Sequence, residues 1–324
     1  MLKFCLGVAV CLTLLLAPQL HAQQYPTKVI TLMVPFAAGG PTDTVARLVA
    51  KGMGDSLKQQ IIVENVGGAG GTIAPARVAK AAPDGYTILI HHIGMSTAPA
   101  LYRKLPYNPL NDFEHIGLVN DTPMTLIARK DFPAKDFKEL IAYVKTNKEK
   151  INLANAGLGA ASHLCGMLFM TAIQTDVTTV PYGGTAPAMK DLLGGQVDIM
   201  CDQTTNTTSQ IKGGAVKVYA VTTKTRVASL PNVPTMHEAG LPNFEIVIWH
   251  GLYAPKGTPK PVIDQLTKAL QVAIKDATVK QRFADLGAES VVEKRATPEA
   301  HKAFLKAEID KWGPIIKKAG VYAD

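Results

Sequence analysis

Beyond its first two dozen residues, the 324-residue chain has no apolar run long enough to cross a bilayer; a span needs roughly 18 or more apolar residues. It has no basic run interleaved with aromatics, so the formal net charge of +8 reads as a solvated basic surface and not as a nucleic-acid footprint. The glycine-rich stretch 67–71 lacks both the G-x-G-x-x-G pattern and the phosphate-loop lysine followed by Ser or Thr, which excludes the common nucleotide sites. Neither a G-x-S-x-G elbow nor an H-E-x-x-H pair occurs. His91-His92 has no carboxylate or cysteine at a telling spacing to complete a metal site. No metal and no cofactor are expected. Short-period repeats and low-complexity segments are also missing.

Cysteine is scarce, and half of it sits in what reads as a leader. Met1-Leu2-Lys3 is a short basic start, residues 4–17 are apolar or small, Pro18 breaks the run, and Ala22 offers a small residue at a cut. This is the pattern of a signal peptide over 1–22. The bulky Val10 before Cys11 suits a lipoprotein cut less well than release after Ala22. A soluble, exported chain beginning near Gln23 is therefore expected, with the loss of Lys3 taking the charge from +8 to +7. Export would leave Cys165 and Cys201, which read either as one disulfide or as two buried thiols; an oxidising compartment favours the disulfide.

What is present is one phrase written three times: a short apolar strand runs into a glycine turn that opens a helix. The copies are residues 29–36 into Ala38-Gly39-Gly40-Pro41-Thr42, residues 151–156 into Gly157-Leu158-Gly159-Ala160-Ala161-Ser162, and residues 178–181 into Tyr182-Gly183-Gly184-Thr185. Helix starts carry unpaired N–H groups and partial positive charge, and glycine lets an anion come close. Three such turns suggest a cleft built for a small carboxylate.

Strand and helix patterns alternate through residues 29–90 and again through 124–221, and amphipathic helices are predicted over 261–275 and 297–318. About 300 residues exceed the usual size of one core. The reading is α/β, with lobe one at 23–122 plus 246–324 and lobe two at 123–245. The chain would cross between them near residues 121–123 and along a strand at 245–253. Ligands of open α/β sheets bind beyond the carboxyl ends of strands, where the glycine turns lie.

Several ordered segments carry a resemblance. They are Pro35-Phe36-Ala37-Ala38-Gly39-Gly40-Pro41-Thr42-Asp43 with Ala46-Arg47, Glu64-Asn65 with the glycines at 67–71, and Pro83-Asp84-Gly85-Tyr86-Thr87. Ser162-His163-Leu164, Val180-Pro181-Tyr182-Gly183-Gly184, residues 191–198, Leu230-Pro231-Asn232-Val233-Pro234-Thr235 and Glu238-Ala239-Gly240 follow. Over essentially the whole exported chain this set resembles the Bug-type solute receptors of tripartite tricarboxylate transporters. The resemblance implies a periplasmic, two-lobed Venus flytrap fold of type II kind. It also implies a carboxylate held between turns of both lobes, partly through ordered water, and delivery to an inner-membrane permease or a sensor.

The candidate ligand-binding residues follow from the three turns and that resemblance. They are Phe36, Ala38, Gly39, Gly40, Thr42 and Asp43 in the first; Asn155, Gly157, Gly159, Ser162 and His163 in the second; Tyr182, Gly184 and Thr185 in the third; with His92 and Asp202 at strand ends. Thr42 and Ser162 serve either as caps of their own helices or as hydroxyl donors to the ligand. Asp43 would meet an anion only through water or through an amine on it. His163 reads as a packed histidine or a ligand contact, the hydroxyl-dense stretch 204–208 as a polar helix start or pocket lining, and Trp249 as core or a ligand platform, with core favoured. Ser162 and His163 are adjacent at a helix start and so point apart, which argues against a catalytic dyad. The expectation is a monomeric, non-catalytic receptor for a small organic acid, with a lean toward a dicarboxylate, aromatic acids included. A secreted hydrolase or lyase on the same scaffold, or a periplasmic sensor partner, is the alternative.

Overall fold

A computed structural model of the protein describes residues 25–320 and Tyr322. The expected signal peptide, with Cys5, Cys11 and the cut after Ala22, lies outside the described residues.

The first half of the architecture is parallel. Strand β1 (Ile30–Val34) leads to helix α1 (Pro41–Leu57), β2 (Ile61–Asn65), α2 (Ile73–Val78), β3 (Thr87–His92) and α3 (Gly94–Leu101). β1 lies between β2 and β3 and is parallel to both. Pro41 opens α1, where its fixed φ suits the first turn and its missing N–H costs nothing. Val45, Val49 and Met53, spaced by four, turn one face of that helix inward.

Strand β4 (Phe113–Arg129) then runs for 17 residues and joins the two halves. After it come α4 (Phe137–Thr146), β5 (Asn152–Asn155), α5 (Ala161–Ile173), β6 (Thr178–Pro181), α6 (Thr185–Leu193), β7 (Ile199–Gln203), α7 (Thr204–Lys212) and β8 (Val216–Val221). β5 is parallel to β6 and β7, whereas β7 and β8 run antiparallel to β4. The chain returns through β9 (Val247–Pro255) and closes with α8 (Lys260–Lys275), α9 (Ala277–Asp285), β10 (Glu289–Ser290) and α10 (Pro298–Ala319).

The spine of the sheet reads β2-β1-β3-β9-β4-β7-β5-β6. β4 is the shared strand. From Phe113 to Pro123 it pairs with β9, and from Met124 onward it pairs with β7 and β8. The division falls at Pro123–Met124, beside the Arg295–Asp121 ion pair. The sheet is mixed: β2-β1-β3 and β7-β5-β6 are parallel, whereas its centre, β9-β4-β7, is antiparallel.

The first part of β4 was not anticipated, because Phe113, His115–Asn120 and Thr122 are buried on both faces and leave no alternation to read. α3 is short and contains Pro99, and β9 starts and ends two residues later than the predicted 245–253. The hydroxyl-dense stretch 204–208 is the start of α7. Thr204 Oγ1 donates to Gly287 O at 3.1 Å and Thr208 Oγ1 to Leu286 O at 3.0 Å, fastening that helix to the turn after α9. Trp249 is buried core, its indole N–H donating to Glu308 Oε2 at 3.1 Å. No helix among the described residues is long and apolar enough to cross a membrane.

Candidate functional site

The carboxyl ends of β1, β3, β5 and β7 face one small, partly open space. It measures about 10 Å³ and is lined by Phe36, Pro41, Thr42, His92, Ala156, Ala161, Ser162, Thr185, Asp202 and Gln203. That is room for roughly one water. Four helices begin on its wall: α1 at Pro41, α5 at Ala161, α6 at Thr185, and α7 with Gln203 as its N-cap. None of the four has a side-chain cap. Away from the cavity, α4, α9 and α10 are capped by Asp136, Asp276 and Thr297, whereas α2, α3 and α8 have no side-chain cap. Uncapped first turns leave N–H donors and the positive end of each helix dipole available to an anion.

The first lobe contributes uncharged histidines. His92 Nδ1 accepts from the Gly94 N–H at 3.0 Å, so its neutral ring carries a proton on Nε2. Phe36 stacks on that ring with centroids 4.8 Å apart. Behind it, His91 Nδ1 accepts from the His92 N–H at 2.7 Å, which leaves Nε2 to donate to Gly71 O at 3.0 Å. Asn120 Nδ2 donates to Thr122 Oγ1, so Asn120 Oδ1 accepts from His250 Nδ1 at 3.0 Å, and His250 Nε2 can accept the Thr42 hydroxyl at 3.3 Å. Burial lowers all three: His91 to about 4, His250 to about 3, and His92 well below its usual value. The imidazoles therefore act as neutral hydrogen-bonding groups.

The second lobe contributes hydroxyls and a carboxyl. Ser162 Oγ accepts from the Ala156 N–H at 2.8 Å, which keeps its own proton for a ligand and does not make it a cap of α5. Asp202 Oδ2 accepts from Asn206 at 2.6 Å. Burial pushes its pKa up to about 6, against the opposing pull of Asn206, the Gln203 N–H and the neighbouring Thr185. Cys165 of α5 and Cys201 of β7 are joined as a disulfide, with Cα atoms 6.0 Å apart. The bridge lies one turn from Ser162 and directly before Asp202.

Of the predicted ligand residues, the structure brings Phe36, Thr42, His92, Ser162, Thr185 and Asp202 together around the cavity. The others lie elsewhere, mostly because their polar groups are already used. Asp43 accepts from the Gly39 N–H at 2.9 Å, from Arg47 Nε at 2.9 Å and from Asn65 at 3.0 Å, so it braces the first turn. With Ala38 and Gly39 it faces a separate outer groove that also holds Arg47 and Arg282. Burial opposes ionisation of Asp43, but Arg47, the Gly39 N–H and Asn65 outweigh it and lower its pKa. Asn155 Oδ1 accepts from the Gly157 N–H at 2.8 Å, His163 Nδ1 from the Gly159 N–H at 3.4 Å, and the Tyr182 hydroxyl donates to Asp191 at 2.8 Å.

Several of the glycine turns lie where the two lobes touch. The Ala37 N–H donates to Gly183 O at 3.1 Å and Thr97 Oγ1 to Gly159 O at 2.8 Å, and the Tyr102 hydroxyl sits between Ala69 O at 2.7 Å and Leu158 O at 3.0 Å. A Cβ on Gly70 would lie 1.8 Å from Leu158 O, and one on Gly184 would lie 2.8 Å from Ala37 N. Gly40 sits at the same seam, against Ala186. Pro41, Ala156, Ala161 and Gln203 were missed; three carry no polar side chain, and Gln203 shows its role only as the last residue of β7.

Comparison with known proteins matches this architecture. Residues 45–321 fit the model of the tripartite tricarboxylate transporter family receptor. The UPF0065 protein in the TAR-I ttuE-ttuC' intergenic region of Agrobacterium vitis is 50% identical over 315 residues, covering 97% of this chain and 91% of that protein. The structure of the periplasmic binding protein BugD superposes with a TM-score of 0.91 at 56% identity, covering 93% of this chain and 100% of that one. MatC from Rhodopseudomonas palustris, solved with bound malate, superposes at 0.87 with 42% identity, covering 90% and 100%. The fold is the two-lobed periplasmic binding protein fold, and the chain belongs to the receptor family of the tripartite tricarboxylate transporters.

Proposed function

We propose that the protein is a periplasmic receptor that captures a small carboxylate in the small space between its lobes and passes it to a membrane permease or a sensor. The observation that carries this reading is the set of four uncapped helix starts on one cavity wall, beside a Ser162 hydroxyl with a free proton and a His92 Nε2–H. Malate in the related MatC supports the ligand class. In this reading a monomer is released by cleavage after Ala22. Lobe one comprises 23–122 and 246–324, lobe two comprises 123–245, and β4 and β9 form the hinge. A cavity of about 10 Å³ is too small for such an acid, so binding needs the lobe contacts at Ala37–Gly183 and Thr97–Gly159 to part and the lobes to close on the acid further apart than they stand here.

Binding without turnover is supported by the partners of the one adjacent Ser–His pair. Ser162 accepts a main-chain N–H, and His163 Nδ1 faces the Gly159 N–H and not the hydroxyl. The test is a thermal-shift screen of short organic acids against their amides, with recovery of the ligand. An acid at 100 times its dissociation constant should add about 2.7 kcal/mol of stability and return unaltered. Equal shifts from the amides, no shift from any acid, or a consumed ligand would contradict the proposal.

A further inference from the structure

The chain passes between the two halves of the sheet twice, at Pro123–Met124 in β4 and at Ile246–Val247 where β9 begins, and one buried side chain touches both crossings. Up to Pro123, which lies opposite Val247, β4 pairs with β9. From Met124 it pairs with β7 and β8, with Thr125 opposite Val221. Thr222 directly follows β8 and is fully buried. Its place in that ladder is opposite Met124, where two antiparallel residues would exchange both main-chain hydrogen bonds.

Only one of the two is made: the Thr222 N–H donates to Met124 O at 2.9 Å. The Met124 N–H instead donates to Thr222 Oγ1 at 3.0 Å, and Thr222 O accepts from the Ile246 N–H at 3.1 Å. The hydroxyl hydrogen has Ile246 O at 2.6 Å; Met124 O, which already holds an N–H, is farther away at 3.2 Å. The side chain thus stands in for its own carbonyl, and the carbonyl so released reaches the second crossing. Met124 and Ile246 are themselves buried, so solvent does not take over these bonds. A valine at 222 would fill the same space and leave the Met124 N–H and Ile246 O without their partner.

Resting on the reading of β4 and β9 as a hinge, we propose that Thr222 is the positioning residue of that hinge: it fastens the two crossings together, so that lobe two turns on them as one body. Strands left unfastened bend separately, and the facing walls that carry Ser162 and His92 then meet over a spread of angles.

The experiment is double electron–electron resonance on the exported chain with no acid added, spin-labelled through Lys51→Cys on α1 and Lys145→Cys on α4, both exposed positions. Thr222→Val should broaden the distribution of interlobe distances by half or more, and Thr222→Ser, which keeps the hydroxyl, should leave it unchanged. Thr267→Val is the control for a buried bond lost inside one lobe, since Thr267 Oγ1 donates to Ile116 O at 2.9 Å; it should lower the melting temperature without broadening the distribution. No broadening by Thr222→Val, or equal broadening by Thr267→Val, would overturn the inference. Gly70→Ala, whose added Cβ would lie 1.8 Å from Leu158 O, separates the two readings. A shifted distance in Gly70→Ala alone overturns only the role of Thr222, whereas no shift there and none in Thr222→Val removes the hinge as well. Should Thr222→Val misfold, hydrogen exchange of the unsubstituted chain decides: the Met124 and Ile246 amides should open together with one shared protection, and independent opening would overturn the inference.

Discussion

In the proposed site, the two side-chain hydrogen donors are uncharged groups placed by their second hydrogen bond. Ser162 is held by the Ala156 N–H at 2.8 Å and His92 by the Gly94 N–H at 3.0 Å, so each arrives with its proton pointing away from the anchor. Ser162→Ala removes a donor to an anion and leaves the Ala156 N–H unpaired. Binding of the acid found in the screen should weaken tenfold or more, as expected for a hydrogen bond to a charged group; calorimetry reads it, and an unchanged affinity would remove Ser162 from the site. Much of this was legible in the sequence, since hydroxyls at glycine-preceded helix starts are visible without coordinates. Asp43 shows that a carboxylate in a first turn looks the same in sequence whatever it meets; here it braces the turn against Arg47 and Asn65. Gln203 was illegible because no local pattern marks a buried amide with a free oxygen.

At the scale of elements, two devices set the cavity's shape. The Cys165–Cys201 disulfide ties α5, which carries Ser162, to β7, which carries Asp202. The bridged residues lie 36 apart, and closing such a loop stabilises by about 3–4 kcal/mol on the chain-entropy account. Replacing both cysteines by alanine should lower the melting temperature accordingly and weaken ligand affinity measured well below that temperature; a lower melting temperature with intact affinity would mean the bridge serves stability alone. The second device is the glycine seam. Gly70→Ala would put a methyl 1.8 Å from Leu158 O, at a residue with φ of +60°. It should hold the lobes apart, reduce affinity at least tenfold and keep the scattering radius large when the acid is added. The turns and most helices could be read from spacing and from Pro and Gly. The interlobe contacts that explain the glycines could not, because they join residues as distant in sequence as Ala37 and Gly183.

The whole molecule folds around neutral imidazoles. His91, His92, His115, His250 and His301 are all buried, with burial the main cause of their lowered pKa values: about 4 for His91 and His115, about 3 for His250. The unfolded chain takes up protons near pH 6.5, whereas the folded chain resists until well below that, so stability must fall as pH drops from 6.5 toward 4. Each histidine adds about 1.4 kcal/mol per pH unit to the slope. Asp202 works the other way, since its raised pKa lets the folded state hold a proton from about pH 6 down, but it is one group against five. Melting temperatures measured across that range should therefore decline steadily on acidification; a flat or rising profile would mean that the histidines are not buried as described.

The most direct test of the central claim is a crystal structure with the acid that gives the largest thermal shift. The account places its carboxylate within hydrogen-bond distance of Ser162 Oγ and of first-turn amides of α5, α6 or α7. The outer groove beside Arg282 and the Asp43-paired Arg47 offers about 500 Å³ of space, and an acid bound there with the interlobe cavity empty would contradict it.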